Sequence, residues 1–435
     1  MSITTFKQLE EEFKNVFLIV DPGILKLIMS VVIGNKLPVD PIWLMMVAAS
    51  SGGKSELMLT LDKIGESIIP ISDLTTNTFA SGQKKTGKET SLLHKMKPGS
   101  VLVFKDFTSI LAKNRESKGE IMAQLREIFD GKYTKRTGTG DDVIWNGKVG
   151  ALAGSTETVY QYNEDFSAMG DRFIMYSIHL PDRMEVARKA IKNIEDMKEK
   201  RLHLQDCVKE YIEYVLKNMK PTSLNLSEEA ENDILRVADF CTAVRSGIVM
   251  DERDRSLVRF VPSTETPTRV VQQLYSIAKA LATMNAVENS DEKGHLKYED
   301  TQIVYKIAFD SIPIMRRMAL TALAKYRGGV TTKALATSLN YPTKVVNGWL
   351  SQLNGLKICN RIANGNADKW YLKDEYRKIM VDFQGIQPVE DSLEDIEEDP
   401  GFTDEQIDPS FQDFNLPSDE QDGSFDEMAN GGKLL

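Results

Sequence analysis

The stretch Trp43 to Leu57, WLMMVAASSGGKSEL, decides how the rest of the chain is read. An apolar run from Ile42 to Ala48 leads into a small-residue turn, then Gly53-Lys54-Ser55, then a helical pattern. Strand, glycine turn and helix in that order are the setting of a phosphate-binding loop. Successive backbone N–H groups of such a turn converge on one point and favour an anion there. Ser50, Ser51, Gly52 and Gly53 would supply that backbone, with Glu56 in the first helical turn beside them. Lys54 would reach the outer phosphates of a nucleotide, and Ser55 would turn its hydroxyl to Mg²⁺. The run reads Ala48-x-x-x-x-Gly53-Lys54-Ser55, with alanine where such loops usually carry their first glycine.

Length and composition bound the rest. A chain of 435 residues is expected to hold two or three domains. A hydrophobic fraction of 41% with 27% charged residues is ordinary for a water-soluble globular protein. Cys207, Cys241 and Cys359 are odd in number and widely spaced. They suit neither a disulfide framework nor a zinc site, so a reducing cytoplasm is the expected home. The polar, acidic start MSITTFKQLEEEF is unlike a secretory signal, and the apolar run Ile24 to Gly34 is too short to span a bilayer. No membrane partner is expected. The net charge of −10 hides an asymmetry: residues 386–435 carry sixteen Asp and Glu against one Lys, leaving the remainder mildly basic. A tail so acidic predicts disorder, and a basic body is compatible with nucleic acid.

Along the chain, two helices are expected in residues 1–40, the second capped by Asp21-Pro22. Lys54 to Ile64 reads as a helix and Ile68 to Ile71 as a strand. The segment GQKKTGKET reads as a glycine and lysine loop. Val101 to Phe104, ending in Lys105-Asp106-Phe107, has the unbroken apolar run of a strand buried in a parallel sheet. Glu116 to Asp130 is an amphipathic helix, followed by a basic, glycine-rich stretch from Gly131 to Gly140. Strands Lys148 to Gly154 and Arg172 to Ile178 complete five that alternate with helices, an α/β domain with a parallel sheet over residues 41–180. From Pro181 strands give way to helices: Arg183 to Met219, Ser227 to Arg245 and Thr268 to Val287, a helical layer over 181–312.

Residues 313–382 change character again. Helices Ile314 to Tyr326, Thr332 to Leu339 and Thr343 to Asn354 precede two strand-like runs, Lys357 to Ile362 and Lys369 to Leu372. That order predicts a winged helix-turn-helix. On its third helix Val346, Leu350 and Leu353 fall on one face, leaving Thr343, Lys344, Asn347 and Ser351 outward. Lys344 and Asn347 are the candidates for DNA contact.

The succession Ala48 to Ser55, Val101 to Asp106, Gly154-Ser155-Thr156, Gly170-Asp171-Arg172-Phe173 and Thr266-Pro267-Thr268-Arg269 resembles the AAA+ ATPases. Within that class it is most similar to the minichromosome maintenance (MCM) helicases and related ATPases of phages and mobile elements. The resemblance spans residues 40–320, and a C-terminal winged helix is shared. It implies ATP and Mg²⁺ as cofactors, a homo-oligomeric ring (a hexamer) and a bacterial host cytoplasm. It also makes Thr156 or Ser155 a first sensor of the terminal phosphate. Arg172 becomes an arginine finger inserted into the neighbouring subunit's site, and Arg269 a second sensor acting across the same interface. The basic stretch from Lys132 and the following Trp145 to Lys148 fall where the family has a pore hairpin. Lys135, Arg136 and Lys148 would there grip the phosphates of a strand in the channel, with Lys84, Lys85 and Lys88 near a second pore element.

One departure matters. The family's second nucleotide motif ends in Asp-Glu, one acid for Mg²⁺ and one for the attacking water. Here either Asp106 is the magnesium acid and Phe107 replaces the glutamate, or Lys105 replaces the magnesium acid and Asp106 is the base. In both alignments one carboxylate is missing, and Glu56 and Glu157 are the alternatives for supplying it. Lys54, Asp106 and Arg172 form the expected catalytic set, with Ser55 and Asp106 on the metal.

These observations lead to two expectations. One is an ATP-dependent, ring-forming DNA motor, a replicative helicase of a phage or mobile element. The other is an ATP-switched initiator, helicase loader or regulator with slow or no hydrolysis, which the incomplete acidic pair favours. The acidic tail, with Phe402, Phe411, Phe414 and Phe425 among its acids, would recruit replication proteins, cover the basic channel, or simply keep the chain soluble.

Overall fold

Every residue of strand β1 (Trp43–Val47) is buried, and its side chains alternate between two separate cores. Leu44 and Met46 join one; Trp43, Met45 and Val47 join the other. The period of two along a strand sends neighbours to opposite faces, and a strand covered on both faces needs apolar residues throughout. This is why the run shows no polar alternation. The same division recurs in β2 (Ile68–Ile71), β3 (Ser100–Phe104), β6 (Val149–Ser155) and β7 (Ile174–Ser177), which with β1 form one parallel sheet in the order β2-β3-β6-β1-β7. The chain is therefore α/β, with a five-stranded parallel sheet among the described residues and helices on both sides. The computed structural model describes residues 2–393 apart from 51, 81–83, 86–87, 90, 137–141, 163–171, 180–181, 221–225, 252, 255–256, 291–293 and 365–366. Residues up to Glu394 form one contact unit rather than separable domains.

The N-terminal helices belong to this unit. Phe6–Val16 carries a capping box in which Thr5 and Gln8 satisfy each other's backbone N–H groups. Gly23–Gly34 is buried along most of its length and packs on Thr268–Asn289. It starts one residue after Pro22, with the Asp21 carboxylate accepting from Gly23 N at 3.0 Å. Its last turn is tied to the sheet: Asn35 donates to Val31 O and accepts from Ile42 N. Gly150 leaves the room for that side chain, since a Cβ there would stand 2.0 Å from Asn35 Nδ2.

Several boundaries depart from expectation. The helix opening at Lys54 runs only to Leu59, and a 3-10 turn Asp62–Ile64 follows before Gly65. The basic stretch is a hairpin, β4 (Lys132–Arg136) with β5 (Asp142–Asn146); its tip, 137–141, lies outside the described residues. The segment 84–89 pairs Lys84–Lys85 with Lys88–Glu89. Strands do not vanish after Pro181, because Val249–Met250 pairs with Val258–Phe260. The long helical region splits into Arg183–Asn193 and Met197–Asn218.

The C-terminal elements are helix Ile314–Lys325, strand Val330–Thr331, helices Thr332–Leu339 and Thr343–Gly355, then the hairpin Cys359–Asn364 with Ala367–Leu372. Val346, Leu350 and Leu353 are buried as their spacing predicts. The acidic segment expected to be disordered from Ile386 is ordered at its start: helix Asp374–Gln384 leads into residues that lie along the edge of the small sheet. Arg327 N donates to Val389 O and Leu393 N to Gly329 O, both at 2.9 Å. A side chain at Gly328 would strike the Asp391–Ser392 backbone at under 3 Å. Residues 394–435, with the tail phenylalanines, lie outside the described residues.

Candidate functional site

Parallel strands end on one edge and begin on the other, so the topology sorts the candidate residues before any side chain is considered. β3, β6 and β1 are adjacent, and the turns that follow them carry Asp106, Thr156 and Lys54 at one carboxyl edge. Arg172 precedes β7 and therefore lies at the amino edge. Five residues of β1 separate the two, about 16 Å of strand.

At the carboxyl edge Gly53 sits at φ +81°, in the left-handed region that glycine tolerates, and hands the chain to the helix. Lys54 is 9% exposed. Its ammonium donates to the carbonyl oxygens of Ala48 at 2.6 Å and Ala49 at 2.9 Å, closing the loop on itself. Burial pushes its pKa down, while the charges of Asp106 and Glu157 draw it back up. Both carboxylates thus bear on the same ammonium. Ser50 and Ser55 are exposed, Gly52 is half-buried, and Ser51 lies outside the described residues. Glu56 is engaged elsewhere: its two oxygens accept from Arg201 Nη2 and Nε at 2.8 and 2.9 Å.

The end of β3 places Phe107 in the core and Asp106 at the surface. Phe107 is fully buried, with its ring edge-on to Phe104 at 5.5 Å and to Phe173 at 5.1 Å. Removing such a ring costs about 3–5 kcal/mol, so Phe107 is a core residue. Asp106 is exposed, and its Oδ1 accepts from Thr108 N at 2.9 Å. Ser155 is buried and its hydroxyl meets Thr108 Oγ1 at 2.9 Å, fastening the turns after β3 and β6 together. Gly154 makes this approach possible, since a Cβ there would lie 2.9 Å from Lys105 O. Thr156, half-buried, pairs with Thr158. Between the two sensor candidates, Ser155 is occupied in holding the turns and Thr156 is the more open.

At the amino edge Arg172 is 5% exposed and grips Asp130 through Nη2, at 2.9 Å to Oδ1 and 2.7 Å to Oδ2. Its guanidinium lies over the Phe129 ring at 5.5 Å, and its carbonyl accepts from Gln273 Nε2. Burial lowers the guanidinium's pKa; Asp130 opposes this, while Arg269 and Arg126 add to it. Three arginines therefore gather here. Arg269 is paired with Glu265 at 2.8 Å and borders a cleft of about 380 Å³ with Asp40, Asp130, Lys148 and Gln273. Asp130 escapes sequence reasoning, yet a signal existed. An acid at a helix C-terminus opposes the helix dipole, and such a residue calls for a cation.

The hairpin is pinned at its base by the buried Tyr133 and Trp145, whose indole donates to Met96 O at 3.0 Å. Lys135 reaches Asn77 Oδ1 at 3.2 Å and Ala80 O at 3.3 Å, and Arg136 is exposed. Lys148 turns inward instead. It donates to Leu37 O at 2.8 Å and Gly34 O at 3.2 Å, capping the helix Gly23–Gly34, and burial lowers its pKa to about 8. Lys344 is exposed, 3.9 Å from Asp254, and Asn347 is half-buried. The side chains of Lys84, Lys85 and Lys88, with Gly170 and Asp171, lie outside the described residues.

An open turn beside a buried lysine and two carboxylates fits a phosphate-bearing ligand with a hard cation. Ser55 and Asp106 offer the oxygen donors that Mg²⁺ prefers. Among the described residues no three His, Cys, Asp or Glu side chains form a ready metal cage, so such an ion would draw its other ligands from phosphate and water. Also among the described residues, no helix is long and apolar enough to cross a membrane. Set against known proteins, the chain matches no family model, and the curated proteins contain no match to its sequence.

Proposed function

We propose that this chain is an ATP-dependent, ring-forming DNA motor similar to the MCM-like helicases of phages and mobile elements. The observation that carries this reading is the sorting of residues across the sheet. Lys54, Asp106, Thr156 and Glu157 stand at the carboxyl edge, where ligands of open α/β sheets bind, and Arg172 with Arg269 stands at the amino edge. A phosphate site on one side of a subunit and arginines on the other complement each other in a head-to-tail ring. Lys54 and Ser55 would hold the phosphates and Mg²⁺, Thr156 would sense the terminal phosphate, and a neighbour's Arg172 would neutralise transition-state charge. Bound Mg²⁺ supplies charge neutralisation on the phosphates. The β4–β5 hairpin, with Arg136 exposed near its tip, is the element best suited to a strand in the channel. The three C-terminal helices and their hairpin, read as a winged helix, would use Lys344 and Asn347 on duplex DNA. The tail would meet replication partners.

The test is ATP hydrolysis by the full chain with and without single-stranded DNA, beside Lys54→Ala. DNA-stimulated turnover that vanishes in the variant supports a motor. Binding of ATP with background turnover on any DNA would sink it and leave the second reading, a nucleotide-switched initiator, loader or regulator. A specific observation keeps that reading in play: with Phe107 in the core, β3 ends in a single carboxylate.

A further inference from the structure

We propose that Glu157, on the turn after β6, supplies the carboxylate that the end of β3 lacks and orients the water that attacks the terminal phosphate. The proposal rests on reading the Lys54 loop as a nucleotide site. Hydrolysis in such a site uses one acid near the metal and a second group that aligns the water. Phe107 is unavailable for the second role, because its ring is packed between Phe104 and Phe173. Glu56 is held in a fork by Arg201. Lys105 carries the wrong charge. That leaves the neighbouring turn.

The geometry of that turn is defined by the sheet. Phe104 is paired with Ala153; Asp106 follows the first by two residues and Glu157 the second by four. Adjacent strands lie about 4.8 Å apart, so the two turns run side by side. Phe107 N donates to Gly154 O at 2.8 Å, and Thr108 meets Ser155 at 2.9 Å, which fixes them against each other. Glu157 opens the 3-10 turn Glu157–Tyr162 with its side chain exposed, while Val159 and Tyr160 anchor that turn in the core. The Lys54 ammonium feels the negative charge of Glu157 as well as that of Asp106. A carboxylate after β6 thus stands on the turn beside the one that carries Asp106.

In the step itself, the water oxygen forms its bond to the terminal phosphorus as the bond to the bridging oxygen breaks. The bridging oxygen leaves on ADP with the electron pair. Glu157 accepts a hydrogen bond from the water and takes its proton, then returns that proton to the released phosphate or to solvent. ATP and water become ADP, inorganic phosphate and a proton, with the carboxylate restored.

The experiment uses the full chain with Glu157→Gln, Asp106→Asn and Lys54→Ala. Binding of a fluorescent ATP analogue is titrated with Mg²⁺ and with EDTA, and phosphate release is followed in a single turnover. For Glu157→Gln, analogue affinity in Mg²⁺ stays within about threefold of the parent, while phosphate release falls at least about 100-fold. ATP is then recovered intact from the protein after gel filtration. Asp106→Asn instead loses the difference between Mg²⁺ and EDTA. Release by Glu157→Gln within about threefold of the parent overturns the proposal. A parent that binds ATP without turning it over overturns it too. A parent that fails to bind the analogue, no better than Lys54→Ala, overturns the nucleotide reading itself. Melting of each variant checks its fold.

Discussion

The two edges of the central sheet solve opposite problems. At the carboxyl edge Ser55, Asp106 and Glu157 are exposed and the lysine is bonded to its own loop's carbonyls. At the amino edge the key cation is buried, forked onto an acid and laid on an aromatic ring. The first arrangement leaves room for a ligand; the second holds a charge in a fixed direction. A guanidinium already paired and desolvated loses little freedom when it meets a phosphate. On the proposed ring reading, each edge would be half of a site, with the order built into the half that brings the charge.

The strongest way to break this comparison is Arg172→Ala. As a residue acting across an interface, its loss should lower turnover about 10³-fold with analogue binding unchanged. Mixing it with Lys54→Ala should restore part of the activity, since some interfaces then combine an intact loop with an intact arginine. Absence of recovery at any ratio would confine both residues to one subunit's site.

Asp130→Asn probes the order rather than the charge. It keeps one acceptor oxygen for the guanidinium but removes the opposing charge and the forked grip. Because Asp130 is 53% exposed, solvent screening limits the stability loss to about 1 kcal/mol, read from denaturant midpoints. Turnover should fall about tenfold through misorientation. A rise in turnover would reverse the assignment and make Asp130 a restraint on Arg172.

Lys148 separates structural from functional cations by pH. Its ordinary pKa of 10.5 is lowered to about 8 in the folded chain. Between those values the unfolded chain holds the proton and the folded chain does not, so stability rises with pH across that window. Relative to Lys148→Met, the parent should gain about 1–2 kcal/mol between pH 7.5 and 9.5. An unchanged difference in denaturant midpoints would mean an unburied ammonium.

The smallest effect is expected at the hairpin. Arg136→Ala should weaken single-stranded DNA binding a few-fold and reduce the salt slope by about 0.7, measured by anisotropy across a salt series. Lys148→Met should leave that slope alone. Equal slopes in the two variants would remove the hairpin from the DNA path.

Much of this was legible in the residues. The five strands announced themselves as unbroken apolar runs because both faces of the sheet are covered. The helix expected from Ser227 to Arg245 is found at Glu228–Arg245, with Ser227 accepting from Ala230 N at its start. The Arg172–Asp130 pair was not legible, because 42 residues separate the partners and no local pattern couples them. Lys148 misled for the same reason. Basic residues beside a glycine-rich stretch look alike whether they face solvent or a helix end, and only the chain's path distinguishes them. The pairing of Val389–Leu393 was hidden because it uses backbone groups, which leave no trace in side-chain chemistry.

That last pairing has a practical consequence for anyone shortening the chain. A truncation after Gln384, where charge and helix ends both invite it, would strip the partners from the N–H groups of Arg327, Gly328 and Thr331 and from the carbonyls of Lys325 and Gly329. The bared edge would be ready to pair with any passing strand. A cut after Leu393 keeps it covered, and expression trials should start there.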